Sequence, residues 1–126
     1  MSDPRQLIVV DAANVVGSRA DGWWRDRAGA ARRLLSEIAE LTTRLPESTD
    51  VAVVLEGAAK AAADEPTASR MTVVLAERSG DDKIVDVVAE ATGHITVVTA
   101  DRELRSRVQA LGAETVGPSW LWNRIG

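Results

Sequence analysis

Residues 95–112 read ITVVTADRELRSRVQALG, and this stretch decides the fold class. The apolar run at residues 95–99 is continuous rather than alternating, which is typical of a strand that is covered on both faces. Residues 101–111 predict a helix, and Gly112 closes it. The stretch therefore predicts a strand and a helix that belong to a parallel sheet.

The rest of the chain repeats this alternation. Apolar runs at residues 7–10, 51–55, 71–76 and 114–116 predict further strands. Residues 28–45, which Pro46 closes, and residues 81–92, which Gly93 closes, predict helices, and a short turn or helix begins at Pro118. Residues 12–22 predict a loop, and residues 57–69 predict a short helix or a mobile loop.

Strands that alternate with helices at this spacing predict right-handed βαβ units and an α/β fold. We expect a three-layer α/β/α sandwich with a central parallel sheet. The 126 residues contain no linker and no internal repeat, and this length is usual for one compact domain. We therefore expect residues 1–126 to form a single domain.

The composition restricts the chemistry of any site. Hydrophobic residues make up 45% of the chain, but Phe and Tyr are absent, so the core must consist of Val, Leu, Ile and Ala. The absence of cysteine excludes disulfides and thiolate ligands, and the single histidine, His94, argues against a histidine-rich zinc site. The remaining ligands are oxygen donors, which suit Mg²⁺ or Mn²⁺, and we expect no small organic cofactor.

The sequence shows no sign of membrane insertion or export. No apolar run approaches the roughly 20 residues that a membrane-spanning helix needs. The N-terminal residues MSDPRQ lack the layout of a signal peptide. We therefore expect a cytoplasmic protein.

Acidic residues follow three of the predicted strands. Asp11 comes directly after the first strand, Asp101 follows the fourth, and Asp81 and Asp82 open the helix after the third. The carboxyl ends of parallel strands form one edge of the sheet, where ligands bind in this architecture. Aspartates gathered there repel one another unless a cation or a shared proton compensates their charge. Asn14 adds a neutral amide close to Asp11.

This pattern predicts metal-assisted hydrolysis of a phosphodiester. We expect Asp11, Asp82 and Asp101 to bind Mg²⁺ or Mn²⁺, and Asp81 to bind the metal or orient a water. Asn14 and Thr99 would fix the scissile phosphate or a neighbouring carboxylate. The alternative is that Asp81 and Asp101 simply cap helices, since Asp is favoured at N-caps. Asp11 argues against this alternative, because it precedes no predicted helix.

Positive and aromatic residues suggest RNA contacts. The net charge of −4 argues mildly against a non-specific nucleic-acid binder. The arginines nevertheless crowd one segment, which indicates either phosphate contacts or a solvated helix face. The predicted RNA contacts are Arg19, Arg25, Thr99 and Arg102.

The four tryptophans each allow two interpretations. Trp23 and Trp24 lie among arginines and could stack on bases or pack on the core; we expect one to pack and the other to be exposed. Trp120 and Trp122 predict either a cap over the sheet or a contact of a homodimer.

Four segments carry a family resemblance: DAANVVG, GDDKIVD, VVTADRELRSRVQALGA and VGPSWL. Over nearly the whole chain they resemble the NYN domain of the PIN-like ribonuclease superfamily, and in particular its small bacterial YacP-like members. The resemblance implies a PIN-like fold and cleavage of RNA that depends on Mg²⁺ or Mn²⁺. The positions that match the family's site are Asp11, Asn14, Asp81, Asp82 and Asp101.

Two positions depart from the family pattern. Arg105 stands four residues after Asp101, where many PIN-like nucleases carry a further acid. Glu56 follows the second strand, where the NYN pattern often has an aspartate, and we interpret it as a peripheral member of the acidic set.

The sequence thus favours a metal-dependent endoribonuclease. A catalytically weak or silent RNA-binding or adaptor domain of the same fold is the alternative. A receiver-like phosphoacceptor is disfavoured, because it requires an acidic pair near the first strand and a lysine after the fifth. Here only Asp11 is available at the first strand, and no lysine follows Lys83.

Overall fold

The computed structural model describes residues 5–19, 22–64 and 70–125. Its centre is a sheet of five parallel strands in the order β3-β2-β1-β4-β5. The strands are β1 (Gln6–Asp11), β2 (Thr49–Leu55), β3 (Met71–Leu75), β4 (His94–Val98) and β5 (Glu114–Val116). The predicted α/β fold with a central parallel sheet is confirmed.

Helices connect the strands. They are α1 (Ala12–Gly17), α2 (Arg27–Thr42), α3 (Gly80–Glu90), α4 (Arg102–Gln109) and α5 (Pro118–Ile125). Two 3₁₀ segments, Trp23–Arg25 and Gly57–Asp64, complete the connections. Among the described residues, no helix has the length and apolar character needed to cross a membrane.

Helices cover both faces of the sheet, and successive residues of each strand point to opposite faces. Ile8 and Val10 of β1 pack into a cluster with residues of α1, α2 and α5. Val9, between them, packs into a second cluster with residues of α3 and α4. This division confirms the predicted α/β/α sandwich, and it explains why the strands read as continuous apolar runs.

The strand order places a switch point between β1 and β4. The chain first adds β2 and β3 on one side of β1, and then β4 and β5 on the other. At such a switch point the connections leave β1 and β4 towards opposite faces, which opens a crevice at the carboxyl ends of these strands. Asp11 ends β1, and Thr99 follows the last residue of β4.

The prediction of a loop at residues 12–22 is wrong over its first half. Residues 12–17 form α1, and the Asp11 side chain caps it by accepting a hydrogen bond from the Asn14 backbone N–H. Six residues are fewer than two helical turns, so no hydrophobic period could show in the sequence. The argument that Asp11 precedes no helix is therefore also wrong.

The α2 helix ends at Thr42, three residues before the predicted end at residue 45. The hydroxyls of Thr42 and Thr43 donate to the carbonyls of Ala39 and Glu40, both at 2.6 Å. The guanidinium of Arg70 donates to the Thr42 carbonyl and so satisfies the helix end. Side chains that bond to the backbone in this way compete with a further helical turn.

The segment predicted as a short helix or loop, residues 57–69, contains the 3₁₀ helix Gly57–Asp64. Residues 65–69 lie outside the described residues, as do residues 20 and 21 of the predicted loop.

Candidate active site

A chain of hydrogen bonds joins the ends of β1 and β4. The Thr99 hydroxyl donates to Oδ2 of Asp11 at 2.9 Å and accepts from the backbone N–H of Asp101 at 3.2 Å. Thr99 is fully buried, and Asp11 is only 5% exposed. The switch point of the sheet therefore holds Asp11 in one orientation beside Asp101.

Asp11 and Asp101 also cap the helices that follow them. Oδ1 of Asp11 accepts from the Asn14 backbone N–H at 3.3 Å, and Oδ1 of Asp101 accepts from the Leu104 N–H at 3.0 Å. The Asn14 side chain joins the two segments, because its Oδ1 accepts from the backbone N–H of Ala100 at 2.8 Å. The free N–H groups at a helix start stabilise a carboxylate, which favours negative charge at this edge.

Glu56, at the end of β2, reaches the start of α3. Its Oε2 accepts from the Gly80 backbone N–H at 2.8 Å, while the Ser79 hydroxyl accepts from the Asp82 N–H at 3.3 Å. Glycine leaves room for this close approach, because a Cβ at position 80 would lie 3.0 Å from the Glu56 carboxyl carbon and would push the carboxylate away. The Glu56 carboxylate is therefore held at the same edge of the sheet as Asp11. The interpretation of Glu56 as a peripheral member of the acidic set is corrected.

The carboxylates act on one another. Burial raises the pKa of Asp11 from 3.8 to about 6; the hydrogen bonds from Thr99 and Asn14 oppose this rise, and the charges of Asp81 and Glu56 add to it. Burial also raises the pKa of Asp81, and the charges of Asp101 and Glu56 act in the same direction. These charge effects link Asp11, Glu56, Asp81 and Asp101, and we call the four carboxylates the acidic edge.

The donor chemistry of the acidic edge fits a hard divalent cation, because carboxylates that raise one another's pKa gain most from a shared positive charge. Each Asp11 oxygen accepts one hydrogen bond, so further lone pairs are left for a ligand. As placed, within residues 5–19, 22–64 and 70–125, no three acidic or histidine side chains are grouped so that they could hold a metal ion.

Comparison with known proteins identifies the fold. No protein-family model matches the chain, and no curated protein matches its sequence. The structure is similar to the crystal structure of a variant of Rae1 (YacP) from Bacillus subtilis, with a TM-score of 0.70 and 17% identity. The match covers 94% of this chain and 73% of that protein.

The chain has a YacP-like NYN fold.

Within this NYN fold, the predicted acidic pair at the start of α3 is divided. Asp81 is half-buried and faces the acidic edge, as its electrostatic partners show. Asp82 is exposed, and its Oδ1 accepts from Nη2 of Arg107 on α4 at 2.9 Å. The charge of Asp81 therefore acts on Asp11 and that of Asp101 acts on Asp81, while the Asp82 carboxylate is engaged in an ion pair with Arg107.

The residues predicted to contact RNA occupy different places. Arg102 is exposed at the first position of α4, directly after Asp101. The Arg19 guanidinium lies 3.6 Å from the centre of the Trp122 ring, and that of Arg25 lies 5.7 Å from the Trp24 ring. Thr99 is buried with its hydroxyl engaged, so a direct contact between this side chain and RNA is corrected to a role in holding Asp11.

Arg105 replaces the expected acid with a structural contact. Its Nε donates to the Thr99 carbonyl at 2.8 Å, and its guanidinium lies against Gly117. The side chain therefore supports the segment that follows β4. This hydrogen bond gives the arginine a structural role at the position where many PIN-like nucleases carry an acid.

The prediction that one tryptophan of the pair Trp23 and Trp24 is exposed is confirmed, but the other, Trp23, belongs to neither core cluster of the described residues. Trp24 is 53% exposed and Trp23 is half-buried. Trp120 and Trp122 on α5 pack against the core cluster that includes α2, which agrees with a cap over the sheet.

The sequence underestimated Glu56, although a signal was present. Glu56 follows β2 as directly as Asp11 ends β1, and the order of the strands makes β2 the neighbour of β1. A rule that counted every acid directly after a buried strand would have included it.

Proposed function

We propose that this chain is a metal-dependent endoribonuclease that hydrolyses phosphodiester bonds of RNA at the acidic edge. One observation carries the proposal: the hydrogen bonds of Thr99 fix Asp11 beside Asp101 at the switch point of the sheet, where the charges of Asp81 and Glu56 add to the raised pKa of Asp11. Keeping such a group ionised costs free energy, and this arrangement is typical of a functional site. The likeness to the fold of Rae1 (YacP) supports the same class of function.

Asp11, Asp81 and Asp101 would hold Mg²⁺ or Mn²⁺, with Glu56 beside them. The ion would neutralise charge on the scissile phosphate and supply an acidic bound water. The sequence predicted Asp82 as a ligand and Asp81 as either a further ligand or the residue that orients a water. We prefer Asp81, because Asp82 is paired with Arg107.

The protein's own residues position the reaction. Thr99 and Asn14 fix Asp11, and the capping bond to Leu104 fixes Asp101. Asp81 is half-buried at the start of α3, so its carboxylate is accessible to a bound ion and its water. Arg102, exposed next to Asp101, is suited to contact a phosphate oxygen.

A cleavage assay tests the proposal. The purified chain should cleave a fluorescently labelled single-stranded or structured RNA in Mn²⁺ or Mg²⁺, and EDTA should abolish the cleavage. Asp11→Asn and Asp101→Asn should each lower the rate by roughly 100-fold or more, as expected when a group that acts in the transition state is lost. Asp86→Asn is the matched control, because Asp86 is exposed on α3, one helical turn after Asp82.

Full activity of both Asp11→Asn and Asp101→Asn would contradict the proposal. RNA binding by the wild-type chain without any metal-supported cleavage would instead favour the silent RNA-binding domain.

A further inference from the structure

A cavity of about 320 Å³ opens directly beside the acidic edge. Glu56 belongs to both, since it lines the cavity and its charge acts on Asp11. Trp23, Arg27 and Arg78 also line it, and we call it the Trp23 pocket. Its volume lies at the lower end of the range found for small-molecule sites, which is roughly 300–1,000 Å³.

The pocket exists because small side chains line the rest of its wall. Ala12, Ala13, Ala31 and Ala59 contribute a methyl group each, and Gly57 contributes none. Ala12 and Ala31 are almost fully buried, so the helices α1 and α2 that carry them form a fixed floor. A larger residue at any of these alanines would occupy the space.

Trp23 is held in place as one wall. Its six-membered ring lies 3.5 Å from the position that a Cβ of Gly17 would take, and the neighbouring Trp24 ring meets it edge-on at 6.3 Å. The guanidinium of Arg27 lies 5.5 Å from the centre of the Trp23 ring. An indole fixed in this way offers a flat surface for stacking without losing much side-chain freedom.

The lining combines three kinds of recognition. An indole stacks on any base, the guanidinium groups of Arg27 and Arg78 suit phosphate oxygens, and the Glu56 carboxylate can accept a hydrogen bond from an exocyclic amino group. A planar base joined to phosphates matches this set, whereas a purely apolar ligand would make no use of the two guanidinium groups or of the Glu56 carboxylate.

We propose that the Trp23 pocket binds one unstacked nucleobase of a single-stranded RNA, next to the phosphodiester at the acidic edge. This inference rests on the proposed function and deepens it, because it makes the substrate a strand from which a base can be turned out. The pocket would fix which phosphate reaches Asp11, and Glu56 would connect base recognition with the carboxylates.

The test measures RNA binding in EDTA, so that neither metal nor cleavage enters. Fluorescently labelled hexanucleotides are compared with matched hexanucleotides that carry one abasic nucleotide, moved through each position in turn. At one position the missing base should weaken binding by roughly 5- to 150-fold, which corresponds to the range for stacking of one base on an aromatic residue. Trp23→Ala should remove this difference, and Leu111→Ala, which changes an exposed apolar side chain outside the pocket lining, is the control and should retain it.

Ala13→Leu provides a second variant in case Trp23→Ala fails to fold. Ala13 is exposed on α1 and lines the pocket, so leucine fills the space without disturbing the core. This variant should also lose the difference between the intact and the abasic strands.

The pocket proposal is overturned if every position tolerates an abasic nucleotide, if no hexanucleotide binds, or if a folded pocket variant still discriminates. The result of this binding test can be distinguished from the result of the cleavage assay. Discrimination without metal-supported cleavage would remove only the nuclease proposal, and cleavage without discrimination would remove only the pocket.

Discussion

Replacing Asp11 with asparagine should change how the stability of the protein depends on pH. The pKa of Asp11 rises from 3.8 to about 6 on folding, chiefly through burial. This rise of about 2 units corresponds to about 3 kcal/mol, at about 1.4 kcal/mol per unit. Between the two pKa values the folded chain binds more protons than the unfolded chain, so the free energy of unfolding falls as the pH rises.

An asparagine side chain cannot ionise, so Asp11→Asn removes this contribution. The free energy of unfolding of the variant minus that of the wild type should increase by about 2.4 kcal/mol between pH 4 and pH 7.5, because pH 4 already lies just above the unfolded-state pKa of 3.8. A constant offset of about 1 kcal/mol against the variant accompanies it, because asparagine offers one acceptor oxygen to the two donors Thr99 and Asn14. The change with pH, rather than the value at one pH, therefore carries the test.

Urea denaturation at a series of pH values, without divalent cations, gives these free energies. Asp86→Asn is the control, because Asp86 is exposed on α3 and lies outside the acidic edge. The reasoning is refuted if the difference between Asp11→Asn and the wild type stays flat between pH 4 and pH 7.5, or if it changes in the opposite direction.

Two further substitutions probe the surroundings of Asp11. Thr99→Val removes a hydrogen bond to a buried carboxylate and the acceptor of the Asp101 N–H; urea denaturation at pH 7.5 should show a loss of about 1.5–3 kcal/mol, and an unchanged stability would contradict the assigned contact. Glu56→Gln keeps an oxygen for the Gly80 N–H but removes a charge that raises the pKa of Asp11. Carboxyl NMR should show the pKa of Asp11 lower than in the wild type, and an equal or higher value would place Glu56 outside the acidic edge.

The sheet could be predicted from the sequence because its physical signal is local. Each buried parallel strand is a continuous apolar run, and Asp11 and Asp101 follow two such runs directly. Once the strands are parallel, their carboxyl ends meet at one edge, so the proximity of these two carboxylates follows from topology.

Other features depend on contacts that no local pattern reveals. The α1 helix is too short to show a period, and it forms where Asp11 caps it. Asp81 and Asp82 are adjacent in sequence, but consecutive helical positions point about 100° apart, and Arg107 from another helix pairs with Asp82 alone.

The position of the Glu56 carboxylate also depends on a contact between residues that are far apart in the sequence. Glu56 acts at the site because Gly80, on a different element, leaves room for its carboxylate. The sequence contains both residues, but the distance between them is set only when β2 and α3 pack together.

The most direct test of the proposed metal site is a crystal soaked in Mn²⁺ and examined by anomalous diffraction. We predict a peak between Asp11 and Asp101 within reach of Asp81, with Asp82 still paired with Arg107. The same soak of Asp11→Asn crystals should lack the peak. An ordered crystal soaked at millimolar Mn²⁺ that shows no peak at the acidic edge, or a peak only beside Asp82 and Asp86, would contradict the account.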